Sequence, residues 1–379
     1  MSPPLTCRRE DFVLPPGVAY LNAAYMGAPL LRAVEAAECA LRRPPYETRS
    51  ADFFSLPDRA RDLVAHMVGG DSGGVAIVPS VSYAIGLAAA NLPVAEAGRR
   101  VLVLDEQFPS NLYPWQAAGA DLVVVPRPQD GGWTDGVLDL LDERVAVAAL
   151  PHCHWTDGTL LDLERIGARC HEVGAALVID ATQSLGVLPI DVARVRPAML
   201  CSASYKWLLG PYGVTYAWVA PGLRDTWRPL EHGWATRAGA EDFTRLVDYA
   251  AERQAGGRGL DAGERSNFVL LPASIAALEQ LLDWGPGRTQ AYLRRLTDLA
   301  AHEAQARGLQ VAPREARAGH MLGARLQAGV DGLAARLAAE GVHVSQRGSA
   351  LRIAPHMWCD EGDVRALFGA LDGLGLVAA

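Results

Sequence analysis

Residues 176–213 read ALVIDATQSLGVLPIDVARVRPAMLCSASYKWLLGPYG. The stretch holds two short apolar runs, Ala176–Ile179 and Met199–Ser202. The first ends on Asp180 and the second is followed by Lys206. Neither run alternates polar with apolar residues, so each is expected to be a strand buried on both faces. That is the signature of a mostly parallel sheet covered by helices.

The same texture extends in both directions. Upstream, Leu163, Ile166, Cys170 and Val173 share one helical face, with Asp162 as N-cap and Gly174 as stop. Val75–Val78, Val101–Leu104, Leu122–Val125 and Val145–Leu150 read as further strands, and Ser82–Asn91 as a helix that Ser82 opens. Downstream, Tyr216–Val219 is another strand. After Pro272 the pattern changes to a helix at Ala273–Trp284 and a turn at Gly285-Pro286-Gly287. A smaller α+β set follows: helix Gly332–Glu340, strands Val342–Ser345 and Leu351–Ile353, and helix Asp363–Leu371. The expected class is α/β, divided into an N-terminal arm (1–25), a large α/β domain (26–271) and a small C-terminal α+β domain (272–379).

Composition sets limits. A chain of 379 residues is long enough for a large core and more than one domain. The net charge of -8 argues against a nucleic-acid partner. The N-terminus lacks the basic start and apolar core of a secretory signal, and no apolar run is long enough to cross a bilayer. Six cysteines without a CxxC fit a reducing compartment, so a cytoplasmic location is expected.

In an open α/β sheet, ligands bind beyond the carboxyl ends of the strands. Those ends carry Asp180, Lys206, Ser80 and Ser82, Phe108, and His152 with Trp155. A strand-end Asp with a Lys after the next strand suits pyridoxal 5'-phosphate (PLP), which needs a Schiff-base lysine and an acidic partner for its pyridine nitrogen. A helix N-terminus beside a hydroxyl suits its phosphate, and Phe108 or Trp155 could stack on its ring. His152, Cys153, His154 and Asp157 also suggest a metal, but neighbouring residues diverge there and no second ligand pair follows, so none is expected. GGDSGG at 69–74 precedes its strand and lacks the order of a dinucleotide loop, which weighs against a dehydrogenase.

Taken in order, these motifs resemble the class V aminotransferase family of PLP enzymes (fold type I), which includes cysteine desulfurases, selenocysteine lyase, kynureninase and isopenicillin N epimerase. YLNAAYMGAP, VSYAI, FPSNLYPW, GERSNFVLLPASIAALE and LRIAPHMW look like its successive segments. The resemblance implies that Lys206 carries the cofactor and moves the proton at Cα, that Asp180 pairs with the ring nitrogen, and that Gln183 bonds the ring hydroxyl. It also places Phe108 on the ring, and Ser82, the Tyr83 amide and Tyr205 at the phosphate, joined by Ser266 and Asn267 across a homodimer interface. Arg352 would bind the substrate carboxylate, with Asn22, Ala23, His152 and Trp155 nearby.

The implied function is transamination or Cβ/Cγ (C–S type) elimination of an amino acid through a Cα carbanion. Epimerisation, kynureninase-like hydrolysis, and PLP binding without turnover are the alternatives. Two departures from the family pattern stand out. Ala203 occupies a position that is commonly Ser, leaving Ser202 or Ser204 as substitutes. The stretch VSQRGSALR, expected to hold a loop at Val344–Ala350, has no cysteine where desulfurases carry their nucleophile.

Overall fold

The computed structural model describes residues 3–96, 98–129, 132–326 and 331–375. A short N-terminal strand, β1 (Ala19–Tyr20), precedes the central sheet. The sheet strands follow in chain order: β2 (Val75–Val78), β3 (Arg100–Leu104), β4 (Asp121–Val125), β5 (Val145–Pro151), β6 (Ala176–Asp180), β7 (Met199–Ala203) and β8 (Thr215–Val219). Their spatial order is β2-β8-β7-β6-β5-β3-β4. Every neighbouring pair is parallel except those made by β8, which runs antiparallel to both β7 and β2. The carboxyl ends of six strands therefore share one rim with the amino end of β8.

Apart from the edge strand β4, where Val124 is exposed, the sheet is buried on both faces, as the unbroken apolar runs imply. Leu177 and Ile179 of β6 pack into one hydrophobic cluster, and Val178 between them into the other. This is the period of two expected of a strand, with no polar side to expose. The helix Leu163–Val173 matches its sequence signals. The Asp162 side chain accepts the Arg165 amide at 3.1 Å, and Gly174 closes the helix at φ 73°.

A second, four-stranded sheet has the order β12-β13-β10-β9, built from β9 (Gln310–Val311), β10 (Leu322–Arg325), β12 (Ser345–Arg347) and β13 (Ala350–Ile353). Between β10 and β12, β11 (Val342–His343) pairs in parallel with β1. The N-terminal segment then runs on beside the end of β13, with the Ala23 amide donating to Ala354 and the Ala354 amide to Leu21.

Two sequence expectations need correction here. The stretch Val344–Ala350 is not a loop. Ser345, Gln346 and Arg347 pair with Arg352, Leu351 and Ala350, leaving a two-residue turn at Gly348-Ser349 in which Gly348 has φ 56°. Beyond the expected turn at residues 285–287 lies a 21-residue helix, Pro286–Ala306, that the sequence reading missed. Pro286 ends one helical pattern but also suits the first turn of the next, where its missing N–H costs nothing.

Candidate active site

The pocket floor is set by strand register. Asp180 ends β6 opposite Pro151 of β5 and Cys201 of β7. Its carboxylate accepts the Thr182 amide at 3.0 Å. Burial pushes this carboxyl above its usual range, while the Thr182 bonds and Lys206 pull it back. Lys206 lies in the turn after β7, where the Gly27 amide donates to the Tyr205 carbonyl at 2.9 Å. A Cβ on Gly27 would sit 2.5 Å from the Lys206 carbonyl oxygen, so only glycine lets the N-terminal segment pass this close. The Lys206 side chain is buried, with Nζ 5.2 Å from the centre of the Phe108 ring and 5.5 Å from that of Tyr205. Burial lowers its amine to about 8, with Arg352 and Arg347 adding to the effect and Asp180 opposing it.

At one end of the pocket the helix Val81–Asn91 points its N-terminus inward. It starts one residue earlier than predicted, and Ser80 is its cap. The Ser80 Oγ accepts the Tyr83 amide at 3.1 Å and lies 2.9 Å from the Ser82 Oγ. Ser80, Val81 and Ser82 line the pocket, but Tyr83 does not, and its amide is already engaged. Tyr205 lines the pocket against Tyr212, their ring centres 4.5 Å apart.

Neither candidate substitute for the missing serine reaches the pocket. Ser204 Oγ bonds Ser274 at 3.1 Å, and Ser202 Oγ donates to the Ala203 carbonyl. The hydroxyl lining that wall is Thr215, opposite Ala203 in register. Sequence reasoning missed it because β8 presents its amino end to the rim. Ser266 and Asn267 also lie outside this chain's pocket. Ser266 donates to the Phe53 carbonyl, and the Asn267 side chain accepts the Val269 and Leu270 amides where the helix Leu270–Trp284 begins.

Gln183 lines the pocket and is held at both ends. Its Nε2 donates to the Ala24 carbonyl at 3.1 Å, and its Oε1 accepts the Trp207 indole N–H at 2.9 Å. One amide N–H is left over.

On the opposite side Trp155 lines the pocket, and behind it lie β12 and β13, whose Arg352 and Arg347 do not line it but act on the Lys206 charge. Arg352 is buried, and its Nη1 donates to the Trp155 carbonyl at 2.8 Å. Its Nε and Nη2 are also buried and have no partner among the described residues. These two atoms form one edge of the guanidinium, the fork that takes a carboxylate through two hydrogen bonds. Asn22 accepts the Ser345 hydroxyl at 2.8 Å, and Ala23 is fully buried beside Ala354.

Trp155 joins the two halves. Its indole N–H donates to the Glu106 carbonyl at 2.7 Å, and its ring meets Phe108 edge-on at 5.3 Å. His152 does not line the pocket, whereas its neighbours Pro151 and Cys153 do. Burial lowers the His152 imidazole to about 4, and its Nδ1 has no partner among the described residues. His154 stacks on Trp133 and Asp157 binds Arg127 at 2.6 Å, so the polar turn braces the scaffold. Among the described residues no cluster of three or more His, Cys, Asp or Glu is arranged to hold a metal, and no helix is long and apolar enough to cross a membrane.

The family model for class-V aminotransferases matches residues 42–357. The chain belongs to the class-V aminotransferase family. It is 29% identical over 312 residues to an uncharacterized aminotransferase, YcbU, of Bacillus subtilis, covering 81% of this chain and 80% of that protein. It is 25% identical to the isopenicillin N epimerase of Streptomyces clavuligerus over 97% of both chains. In three dimensions it resembles the cysteine desulfurase CsdA of Escherichia coli, with a TM-score of 0.85, 98% of each chain covered and 21% identity. That likeness establishes the shared fold. The chain is thus an enzyme of a PLP-dependent family, with the α/β architecture expected from its sequence.

Proposed function

We propose that the protein is a homodimeric PLP enzyme that breaks a bond at the α-carbon of an amino acid, acting as an aminotransferase or a C–S type lyase. One observation carries this reading. A buried amine with a lowered pKa faces an aromatic ring and a buried carboxylate, and a guanidinium held on the carbonyl of pocket-lining Trp155 has an open fork.

The residues fit the cofactor. Asp180 is a buried carboxyl whose ionisation needs a cationic partner, which a protonated pyridine nitrogen provides. Ser80, Ser82 and the first turn of the helix Val81–Asn91 suit a phosphate. Phe108 gives a stacking face, and the remaining Gln183 N–H suits the ring hydroxyl.

When bound, PLP supplies a sink for the electrons left at Cα. Lys206 holds the cofactor and moves the proton at Cα, a task for which an amine near 8 is well matched. Arg352 clamps the α-carboxylate and fixes which Cα bond is aligned for cleavage. Trp155 and Phe108 shield the reacting face from water. Borohydride reduction of the yellow protein should fix the cofactor to Lys206, as read by peptide mass spectrometry. Product analysis with amino acids, with and without a keto acid, separates transamination from elimination, epimerisation and hydrolysis. A protein that binds PLP but changes no amino acid would be a binding protein only.

The dimer is supported by exposed apolar surface on the ring cluster around Phe53, whose carbonyl holds Ser266: Phe53 meets Phe268 and exposed Phe243 and Trp234 edge to face, and Val247 and Tyr249 are exposed just after Phe243 in the chain. Ser266 and Asn267 would reach the partner's phosphate from there. Size measurement in solution tests it, and a fully active monomer would refute it.

The reading also excludes persulfide formation. The one thiol lining the pocket among the described residues, Cys153, is buried against the Gln183 carbonyl at 3.4 Å, and burial raises it far above the usual thiol range. Cys359 faces the Tyr20 carbonyl, and the β12–β13 turn is too short to carry a mobile nucleophile. A persulfide found on either cysteine after incubation with cysteine would overturn this point.

A further inference from the structure

Arg347 lies on β12, where Ser345 pairs with Arg352 and Arg347 pairs with Ala350. Side chains two apart on a strand share a face, and so do direct partners across a pair. Ser345, Arg347, Ala350 and Arg352 therefore project from the same side of the hairpin. Arg347 and Arg352 are diagonal neighbours there, roughly 7–8 Å apart at the backbone. The Arg347 guanidinium lies over the Trp155 ring at 5.6 Å, and Arg352 holds the carbonyl of that same residue.

Elsewhere in this protein the fully buried arginines are matched to acids, whereas half-buried Arg99, Arg237, Arg253 and Arg294 bond backbone carbonyls. Arg61 and Arg265 share Asp261, Arg317 binds Asp298, and Arg224 binds Asp71. Half-buried Arg127 on the neighbouring turn has both Asp157 and Glu106. Arg347 and Arg352 have no carboxylate partner among the described residues. Arg347 is half-buried and finds only the Gln346 carbonyl, at 2.8 Å. Two like charges on one face, partly shielded from water, weaken each other, and the pocket holds Lys206 as a third. Asp180 is the acid on the floor, and it is matched to Lys206 and the ring nitrogen. The Arg352 fork is filled by a single carboxylate. What sets Arg347 apart from the other half-buried arginines is its place on the Arg352 face and over the Trp155 ring, where it can take another.

We propose that Arg347 is the receptor for a second acidic group, so that the substrate is a dicarboxylic amino acid whose α-carboxylate sits on Arg352 and whose side-chain carboxylate sits on Arg347. This rests on the amino-acid reading above and narrows it to a substrate class.

The test uses the PLP-loaded protein and two ligand sets. In the first, cofactor absorbance is titrated with L-glutamate and L-aspartate against L-glutamine and L-asparagine. The wild type should bind the acids about 10- to 100-fold more tightly, the gain of one charge-assisted contact. R347M should bring the ratio close to one, and R347K should keep part of it. A wild-type ratio of one or less overturns the proposal. So does a ratio that survives in R347M, which would mean that both arginines clamp one carboxylate or that Arg347 only packs on Trp155. In the second set, calorimetry compares glutarate with butyrate, which need no reaction at Cα. If glutarate is preferred in wild type and not in R347M while no amino acid perturbs the cofactor, Arg347 stands and the amino-acid reading falls. If neither preference exists while amino acids do react, the amino-acid reading stands and the role of Arg347 falls.

Discussion

The floor and the rim of this pocket are built on different terms. On the floor, Asp180 takes the Thr182 amide, Gln183 is tied at both ends, and Ser80 caps its own helix. These groups are held by strands that pair across long stretches of sequence, and most of their bonds are made before any ligand arrives. On the rim, Arg352 keeps two buried N–H groups without partners among the described residues, and Arg347 beside it has no acid there either. An unsatisfied buried polar group costs stability, about 1–3 kcal/mol and more when charged. In the proposed function the floor serves a cofactor that stays, and the rim an anion that comes and goes.

The sharpest attempt to break this contrast is at Lys206. In the proposed function Lys206 is both the anchor and the proton carrier, so Lys206→Ala should lower turnover by about 10⁴-fold or more while the chain stays folded. Circular dichroism and turnover measured on the same sample check it. Retained turnover would mean that the floor does not perform the chemistry.

Asp180→Asn comes next. It keeps the shape and removes the charge. Breaking a buried ion pair costs about 3–5 kcal/mol, which corresponds to a loss of roughly 10²- to 10⁴-fold in kcat. Some PLP should remain bound. Arg352→Met should act on the other side of the contrast. Losing a two-bonded clamp worth about 2–4 kcal/mol should raise KM by roughly 30- to 1000-fold, with cofactor absorbance unchanged. If the Asp180 variant moved only KM, or the Arg352 variant bleached the cofactor, floor and rim would not be separable.

The two regions were also unequally legible in the sequence. Asp180 and Lys206 stood out because a charged residue that ends or follows an unbroken apolar run marks where a buried strand reaches a polar rim. Ser80 and Ser82 were harder. Both are good caps two residues apart, and only the bond from the Tyr83 amide selects Ser80. Thr215 could not be found by searching carboxyl ends, since β8 alone runs the other way. Arg347 was hidden by reading Gly348-Ser349 as part of a loop. With a two-residue turn, the spacing of Arg347 and Arg352 places both on one face, a signal present in the sequence but dependent on the turn type. Within one chain Ser266 bonds the Phe53 carbonyl and Asn267 caps its own helix, so a role across an interface is invisible without a partner.

A pH measurement sharpens the account of the floor. Burial and the two rim arginines lower the Lys206 amine to about 8. A group whose pKa is lowered is neutral, and so nucleophilic, above that value. PLP capture by the cofactor-free protein should therefore speed up as pH rises toward 8 and level off above it, where an ordinary lysine would keep gaining up to about 10.4. Stopped-flow absorbance gives the midpoint. R347M should move it upward, because one of the charges that lowers it is gone.

The smallest expected effect probes the seam. Trp155 touches both regions: its indole N–H holds the Glu106 carbonyl, its ring lies against Phe108 and under Arg347, and its own carbonyl holds Arg352. Glu106 is a strained anchor, with φ 53° in the turn that leads to Phe108. Trp155→Phe keeps an aromatic surface and the backbone carbonyl but loses the bond to Glu106. A single neutral hydrogen bond contributes about 0.5–1.5 kcal/mol, and water can replace this one because Glu106 is exposed. Substrate KM and PLP affinity should each weaken by a few-fold, and together, since Phe108 and Arg347 would relax by way of the same ring. If only one of them moves, Trp155 belongs to that side alone, and floor and rim are coupled through the backbone instead.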